Sequence, residues 1–328
     1  MNINPTLTIA IPTFNRIEII SQHVNYLISA SVYELVQILI IDNASTDGTF
    51  ERLRKICDDT PIRVLQNHEN IGFLANFVRL FHECNTEHLI VMSDEDLIIP
   101  EQLINLAQFL QHYQPLFVSS QIYNDKGELF KEFRNLDKGA RIIKRNHDPL
   151  KFRRISPSEL YEASGYITGL VYRREESIRA LVDIQYHLKK RGQIYPQILL
   201  TAQLVLRGPC YYWKQPLAKK MHFCLSTVDD DPTFGGKHNQ LRARWKQHKL
   251  FVDFYIDKSQ NTNDPVEKKI ALQMLQAQKE RLIPMIMSAV RNEFAEIEIV
   301  AGRCLRRLGI YKFIFKERRK HLHLLERK

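Results

Sequence analysis

The chain has 328 residues, 44% hydrophobic and 26% charged, with a net charge of +10. That length suits one large domain with an appendage, and the ordinary composition excludes a fibrous or disordered chain. No window approaches the apolar length needed to span a bilayer, and Met1–Thr6 lacks the basic and apolar regions of a signal peptide. The cysteines Cys57, Cys84, Cys210, Cys224 and Cys304 are scattered and form neither a zinc pattern nor a disulfide framework, so a reducing cytoplasm is expected.

Charge is uneven. Residues 303–328 carry ten Lys/Arg against Glu317 and Glu326, a net of +8, which leaves about +2 for the rest. The basicity belongs to a tail and comes with no recognised nucleic-acid-binding motif, so no specific nucleic-acid partner is expected.

In chain order, residues 7–12 (LTIAIP) read as a buried first strand stopped by proline. Thr13-Phe14-Asn15-Arg16 then turns into a helix over roughly 17–30. Residues 36–42 (VQILIID) are almost continuously apolar, as a parallel strand covered on both faces should be. The turn 43–49 (NASTDGT) offers Ser45 or Thr46 as cap for a helix over 48–58. Residues 62–66 make a third strand, 70–84 a helix and 88–92 (HLIVM) a fourth strand. This alternation indicates a mostly parallel, Rossmann-like sheet with helices on both faces. Further on, a helix near 101–113 precedes a strand at 116–120. A polar basic loop over 137–156 contains Lys138, Arg141, Lys144, Arg145, Lys151, Arg153 and Arg154. Residues 164–172 read as a buried strand with a glycine-permitted close approach, 196–206 as a helix and 210–213 as a last strand. From about 237 the pattern is mainly helical, broken by a polar stretch at 258–265.

The fourth strand delivers Asp94, Glu95 and Asp96 into a turn closed by Pro100. Adjacent acids repel, so a fold places them together where a cation neutralises them. Carboxylates without Cys or His suit a hard ion such as Mg²⁺ or Mn²⁺, which commonly bridges phosphates. The first strand ends in Pro12-Thr13-Phe14-Asn15-Arg16 without a glycine, which argues against a dinucleotide fingerprint and a P-loop. A nucleotide here must be held by side chains and a metal.

Together, Ile11-Pro12-Thr13-Phe14-Asn15-Arg16, Asp42-Asn43-Ala44-Ser45-Thr46-Asp47-Gly48, Asn70-Ile71-Gly72 and Asp94-Glu95-Asp96 resemble the family 2 glycosyltransferases. Thr168-Gly169-Leu170-Val171-Tyr172 and Tyr195-Pro196-Gln197 are similar to a subgroup that makes bacterial surface polysaccharides, including abequosyltransferase-like enzymes. The resemblance implies a GT-A fold and inverting transfer from a UDP-, GDP- or CDP-linked sugar. It implies that Pro12, Thr13 and Arg16 line the nucleotide pocket and that Asp42 accepts a hydrogen bond from the base, unless Asp42 is only a turn residue. Asn43, Asn70 and Gly72 would lie close to the donor or serve as turn residues; Asp47 would fix its loop. Asp96 would be the metal ligand and Asp94 would touch ribose or a metal-bound water. Glu95 would point away from both if the turn stays extended.

Inversion needs a general base. The Glu-Asp pair common among relatives is absent, and Tyr195 to Gln203 contains no carboxylate, which leaves Asp183 or His187. The expected domains are a catalytic domain over 1–236 (donor half 1–105, acceptor half 106–236) and a helical region over 237–328. The apolar and cationic residues interleaved in 303–328 read as a basic amphipathic segment on an anionic membrane surface. With it goes a polyprenyl-pyrophosphate-linked saccharide acceptor at the inner face of the cytoplasmic membrane, toward which the basic loop could also act. The alternatives are a sugar nucleotidyltransferase, which needs the missing Gly-rich loop, a non-catalytic nucleic-acid- or membrane-binding protein, and a degenerate sugar-binding family member.

Overall fold

A computed structural model describes residues 6–131, 141–145, 148–189, 195–221 and 241–291. Contacts divide the chain into two compact units, residues 1–237 and 238–328.

The first unit begins with β1 (Leu7–Thr13), α1 (Ile17–Ser29), α2 (Val32–Leu35), β2 (Gln37–Asp42), α3 (Thr49–Ile56), β3 (Arg63–Gln66), α4 (Gly72–Glu83) and β4 (His88–Val91). It continues with β5 (Leu97–Ile98), α5 (Glu101–Tyr113), β6 (Phe117–Tyr123), β7 (Leu129–Lys131), β8 (Arg141–Arg145) and β9 (Asp148–Arg154). A 3₁₀ turn (Pro157–Glu159) leads to α6 (Leu160–Ser164), β10 (Leu170–Arg173), α7 (Arg174–Leu188), α8 (Pro196–Arg207) and β11 (Cys210–Lys219).

All described strands join one sheet, ordered β3-β2-β1-β4-β10-β6-β11-β9-β8, with β5 paired to β11 and β7 to β6. The first four strands in this order are parallel. Their apolar runs follow from burial on both faces: Ile9, Ile11, Ile38 and Ile40 pack beneath Ile20, Val24, Leu27 and Leu53 of α1 and α3, while Phe77, Leu80 and Phe81 of α4 are also fully buried. Beyond β4 the sheet becomes mixed, because β10 lies antiparallel to both β4 and β6. The expected parallel, doubly covered half is therefore present, on a larger mixed sheet.

Three expected elements differ. Residues 164–172 hold the end of α6, a turn and then β10, because Gly169 takes a φ of +73° that interrupts an extended run. The last strand is longer than read, Cys210–Lys219, because β6 and β9 flank it. Within the basic loop, residues 141–145 and 148–154 pair as an antiparallel hairpin and β9 joins β11, so that part is sheet rather than solvated loop. There Arg153 is ion-paired to Glu159 at 2.6 Å and lies over the Tyr212 ring at 4.7 Å. Lys138 lies outside the described residues.

In the second unit, α9 (Leu241–Asn261) and α10 (Pro265–Arg291) are joined by a short turn and pack on each other as a helical hairpin, with Phe251, Phe254, Ala271 and Met274 buried. No described helix is long and apolar enough to cross a membrane.

Candidate active site

The candidate site lies at the carboxyl edge of β1, β2, β3 and β4, where open α/β sheets gather ligands. After β4 the chain leaves the sheet and turns, and the Asp96 amide donates to the Ser93 carbonyl at 3.4 Å. Because this is a turn and not an extended strand, Asp94 and Glu95 do not diverge. Arg16 Nη1 donates to Asp94 Oδ1 at 2.8 Å and to Glu95 Oε2 at 3.1 Å. Asp94 Oδ2 accepts from the Thr13 hydroxyl at 2.8 Å, and the Asp94 carbonyl accepts from His23 Nδ1 at 3.2 Å. That last bond fixes the imidazole tautomer, since a carbonyl only accepts.

Asp96 is fully buried. Its Oδ2 accepts from the Tyr166 hydroxyl at 2.7 Å and from Thr168 Oγ1 at 2.5 Å, and its Oδ1 accepts from the Met221 amide at 3.2 Å. Thr168 also accepts from the Ser93 amide at 3.1 Å, so one hydroxyl ties the turn to the residue it carries. Gly169 is required beside it. Its positive φ disfavours other residues, and a Cβ there would stand 2.5 Å from Ser120 Oγ.

Burial raises the pKa of all three acids. For Asp94 the Arg16 charge and the Thr13 and Arg16 hydrogen bonds oppose it; for Glu95 Arg16 opposes it while Asp96 and Asp94 add to it; for Asp96 the Thr168, Tyr166 and Met221 donors and the Lys220 charge oppose it. Burial also acts against the charged form of Arg16, but Asp94 and Glu95 outweigh it and raise its pKa. Two buried acids and a partly buried one thus face one cation in contact, and Asp96 is held by neutral donors with Lys220 at longer range. The set fits a hard divalent ion in charge and in oxygen chemistry. Among the described residues no three His, Cys, Asp or Glu side chains converge as a complete cage. Mg²⁺-type sites in fact draw one or two carboxylates from protein and the rest from phosphate and water.

The loops around the turn are braced internally. Asn15 and Ala44 both take positive φ, 51° and 61°. Asn15 joins the β1 and β2 loops, accepting from the Thr46 amide at 2.8 Å and donating its own amide to Ser45 Oγ at 2.7 Å. Neither Ser45 nor Thr46 caps α3: the cap position is Gly48, with a φ of +84°, and Asp47 before it accepts from the Thr49 amide at 3.1 Å and from the Ile17 amide at 3.0 Å.

Asn43 and Asn70 belong to a polar lattice. Asn43 donates to Asn70 at 2.7 Å and accepts from Asn67 at 2.6 Å and from the Ile71 amide at 3.1 Å. Asn70 also accepts from the Gly72 amide at 2.9 Å, and Gly72 opens α4 with a φ of +79°. Arg79 donates to Asn67 and to the Gln66 carbonyl, while Asn76 donates to the Ile41 carbonyl at 3.3 Å. These bonds make Asn43, Asn70 and Gly72 the frame of the loop after β3. Asp42 is fully buried: Ser45 Oγ donates to its Oδ1, and the Ser45 amide (3.1 Å) and Gln66 Nε2 (3.0 Å) donate to its Oδ2. Pro12, within β1, is partly exposed beside Thr13.

Asp183 is not brought to the acid turn. Asp183, on α7, is ion-paired with Arg207 at the end of α8. Arg207 precedes β11, whose Cys210 pairs with Phe117, which in turn pairs with Tyr172. β10 runs away from Val91 toward His88, so this is the sheet edge opposite Asp96. Asp183 is therefore corrected to a surface ion pair. His187 is buried in the last turn of α7, its ring 5.4 Å from that of Tyr186.

Sequence reasoning did not find Tyr166, His23, Gln66, Asn67 or Arg79. Thr168-Gly169 was conspicuous, and Tyr166 lies two residues before Thr168. His23, Gln66 and Arg79 sit in unremarkable helix and strand positions, and Asn67 in the loop after β3.

The family model for glycosyl transferase family 2 matches residues 8–181. The chain belongs to that family, and it is a glycosyltransferase. It is 23% identical over 281 residues to the abequosyltransferase RfbV of Salmonella typhimurium, covering 81% of this chain and 77% of the relative. It is 25% identical over 142 residues to a dolichol-phosphate mannosyltransferase of Pyrococcus furiosus, covering 42% of this chain and 40% of that one. Among solved structures, S. aureus TarS 1–349 with UDP-GlcNAc aligns with a TM-score of 0.64 at 12% identity, over 93% of this chain and 81% of that one, which establishes a GT-A-like fold.

Proposed function

We propose that this glycosyltransferase inverts a sugar from a nucleotide-sugar donor onto a saccharide acceptor during assembly of a bacterial surface polysaccharide. The observation that carries the reading is the acid turn, two buried carboxylates and a partly buried one at a sheet's carboxyl edge, gathered by Arg16, Thr13, Tyr166 and Thr168. The abequosyltransferase and the UDP-GlcNAc complex named among the similar proteins support this class of donor and product.

In this reading Asp94, aligned by Arg16 and Thr13, meets a metal-bound water or, with the base nearer β1, the donor ribose, and Pro12 lines the same pocket. Asp96, with Asp94 beside it, would hold Mn²⁺ or Mg²⁺. When bound, that ion neutralises charge on the departing nucleoside diphosphate. Tyr166 and Thr168 favour the ionised form of Asp96 against its burial and keep it aimed. Glu95 shares Arg16 and sets how much of that cation's charge remains for phosphate. Asn43, Asn70 and Gly72 hold the loop shape under the donor. The base that accepts the acceptor's proton belongs to the acceptor side of the sheet edge and is not Asp183.

The test is a melting-temperature screen of UDP-, GDP- and CDP-sugars with and without Mn²⁺, on wild type and Asp96→Asn. One donor class should stabilise wild type, and more so with Mn²⁺. Asp96→Asn should stay folded but lose both the Mn²⁺ increment and transfer. If no nucleotide sugar stabilises wild type, the reading is wrong.

Residues 303–328 lie outside the described residues. We propose for them, from charge and pattern alone, attachment to an anionic membrane surface beside a lipid-linked acceptor. Each cation near such a surface contributes about 1 kcal/mol. Co-sedimentation with anionic vesicles should fall in high salt and on deletion after Gly302; equal binding by the truncated chain would remove the tail from the account.

A further inference from the structure

The register of the sheet lines up a row of polar side chains along its carboxyl edge. Thr13 is the Cα partner of Asp42, and Asp42 is the partner of Gln66, so all three side chains lie on one face. Thr13 in turn donates to Asp94. From the turn after β4 to the end of β3 is three strand spacings, roughly 14 Å at about 4.8 Å each. That span suits an extended nucleoside diphosphate lying across the edge, phosphates at the acid turn and base at β3.

At the β3 end of the row is an open groove of about 610 Å³ between α3 and β3, lined among others by Ser45, Phe50, Arg54, Val64, Gln66 and His68. Phe50 and Val64 supply apolar surface and Arg54 a planar cation, a lining suited to a flat heteroaromatic ring. Asp42 stands behind this wall with no exposed surface, its two oxygens already accepting from Ser45 and Gln66. A carboxylate only accepts, so the Gln66 amide must present Nε2 to Asp42. Its carbonyl Oε1 is then the acceptor it can offer, beside the second Nε2 hydrogen.

We infer that Gln66, not Asp42, reads the nucleobase: its Oε1 accepts a hydrogen bond from a base N–H in the α3–β3 groove, and Asp42 acts as the positioning residue that sets the amide's orientation. This rests on the donor reading above and deepens it. The base must carry a donor on the edge it presents, such as a ring imide or an exocyclic amine. Asp42 contributes through Gln66 alone.

The experiment is calorimetric titration of the full chain with UDP, GDP and CDP, each beside a counterpart with its base N–H groups methylated, and with ribose 5-diphosphate, which has no base. Wild type and Gln66→Met are compared, with melting curves as the check on folding. The nucleotide that binds wild type should weaken about tenfold on methylation and about tenfold on Gln66→Met, as expected for one lost hydrogen bond. Methylation should add nothing further in the variant, because both changes remove the same bond. Ribose 5-diphosphate should bind both proteins equally. Asp42→Asn, which frees the Gln66 amide to turn, should reproduce the loss.

A full methylation penalty retained in Gln66→Met would overturn the inference and return base reading to another group. A parallel loss of ribose 5-diphosphate binding would overturn it too, since the variant would then be acting on the phosphate end. If Gln66→Met fails to fold, the wild-type methylation penalty still decides: its absence means no base N–H is read. Failure of every nucleoside diphosphate to bind wild type would overturn the donor reading and this inference with it.

Discussion

Replacing Arg16 by methionine tests the central claim that one guanidinium holds the acid turn together. A single nitrogen, Nη1, bridges Asp94 at 2.8 Å and Glu95 at 3.1 Å, and the three side chains are only 11%, 6% and 14% exposed. Methionine keeps the apolar stem and removes the charge, leaving two carboxylates under protein with no cation in contact. Breaking a buried pair in this way costs about 3–5 kcal/mol. Glu95, at the more exposed end, can recover some hydration, so the lower figure applies. For a unit of this size, about 3 kcal/mol lowers the melting temperature by roughly 6–12 °C. The pH dependence separates charge from packing. Burial already raises the pKa of both acids above their unfolded values, and losing Arg16 raises them further. A carboxyl with a raised folded pKa opposes folding while ionised, and that penalty fades as pH falls toward the folded pKa. The gap between Arg16→Met and wild type should therefore narrow between pH 7.5 and pH 5, measured by urea unfolding without donor. A loss under about 1 kcal/mol at pH 7.5, or an equal loss at both pH values, would refute the reasoning.

Asp183→Asn should leave kcat within about twofold and change stability by about 0.5 kcal/mol or less, the worth of a partly exposed ion pair; a large fall in kcat would put the general base back on α7. His23 and His88 are held neutral by burial, each with a pKa lowered to about 4; for His23 a hydrogen bond to the Asp94 backbone partly offsets it, and for His88 the Glu87 charge and the Pro115 backbone do so while Arg173 adds to it. The unfolded chain binds their protons first, so stability should decline as pH falls from 6.5 toward 4, by up to about 1.4 kcal/mol per pH unit for each ring. Protonation of the acid turn works in the other direction over the acid range, and His23→Phe should flatten the decline if the assignment is right. Gly169→Ala forces a side chain into a left-handed backbone and against Ser120, so its melting temperature should drop, by about 2 kcal/mol in stability terms; a neutral result would mean the Thr168–Gly169 turn can relax without disturbing Asp96.

Much of the first unit was legible because its determinants are local. The short continuous apolar runs of β1, β2 and β4, bounded by turn residues, read as strands covered on both faces, and the intervening amphipathic segments as the helices between them. The acid triplet announced itself by its electrostatic cost. The region after residue 113 was harder, since a strand antiparallel to its neighbours and a hairpin built from basic residues carry no distinct period. The residues 141–154 read as polar loop because arginines and lysines mask alternation. Their pairing depends on β11, which lies more than fifty residues further on.

The site shows the same division more sharply. Sequence locates Asp96 but not what makes it usable, because a buried carboxylate is ionised only through donors that the fold brings from elsewhere. Those donors stand 70, 72 and 125 residues away in sequence, at Tyr166, Thr168 and Met221. Arg16 and Thr13 reach Asp94 across 78 and 81 residues, and His23 grips the turn from inside α1 across 71. Each of these partners is an ordinary residue in its own segment, and only the register of β1 against β4 and of β10 against β4 makes them a set. The same logic separates Asp42 from Asp94, although both end parallel strands. Ser45 turns back from a left-handed Ala44 to occupy Asp42, and Gln66 reaches it from the next strand, so position alone marked both acids as donor ligands while their hydrogen bonds assign them different work.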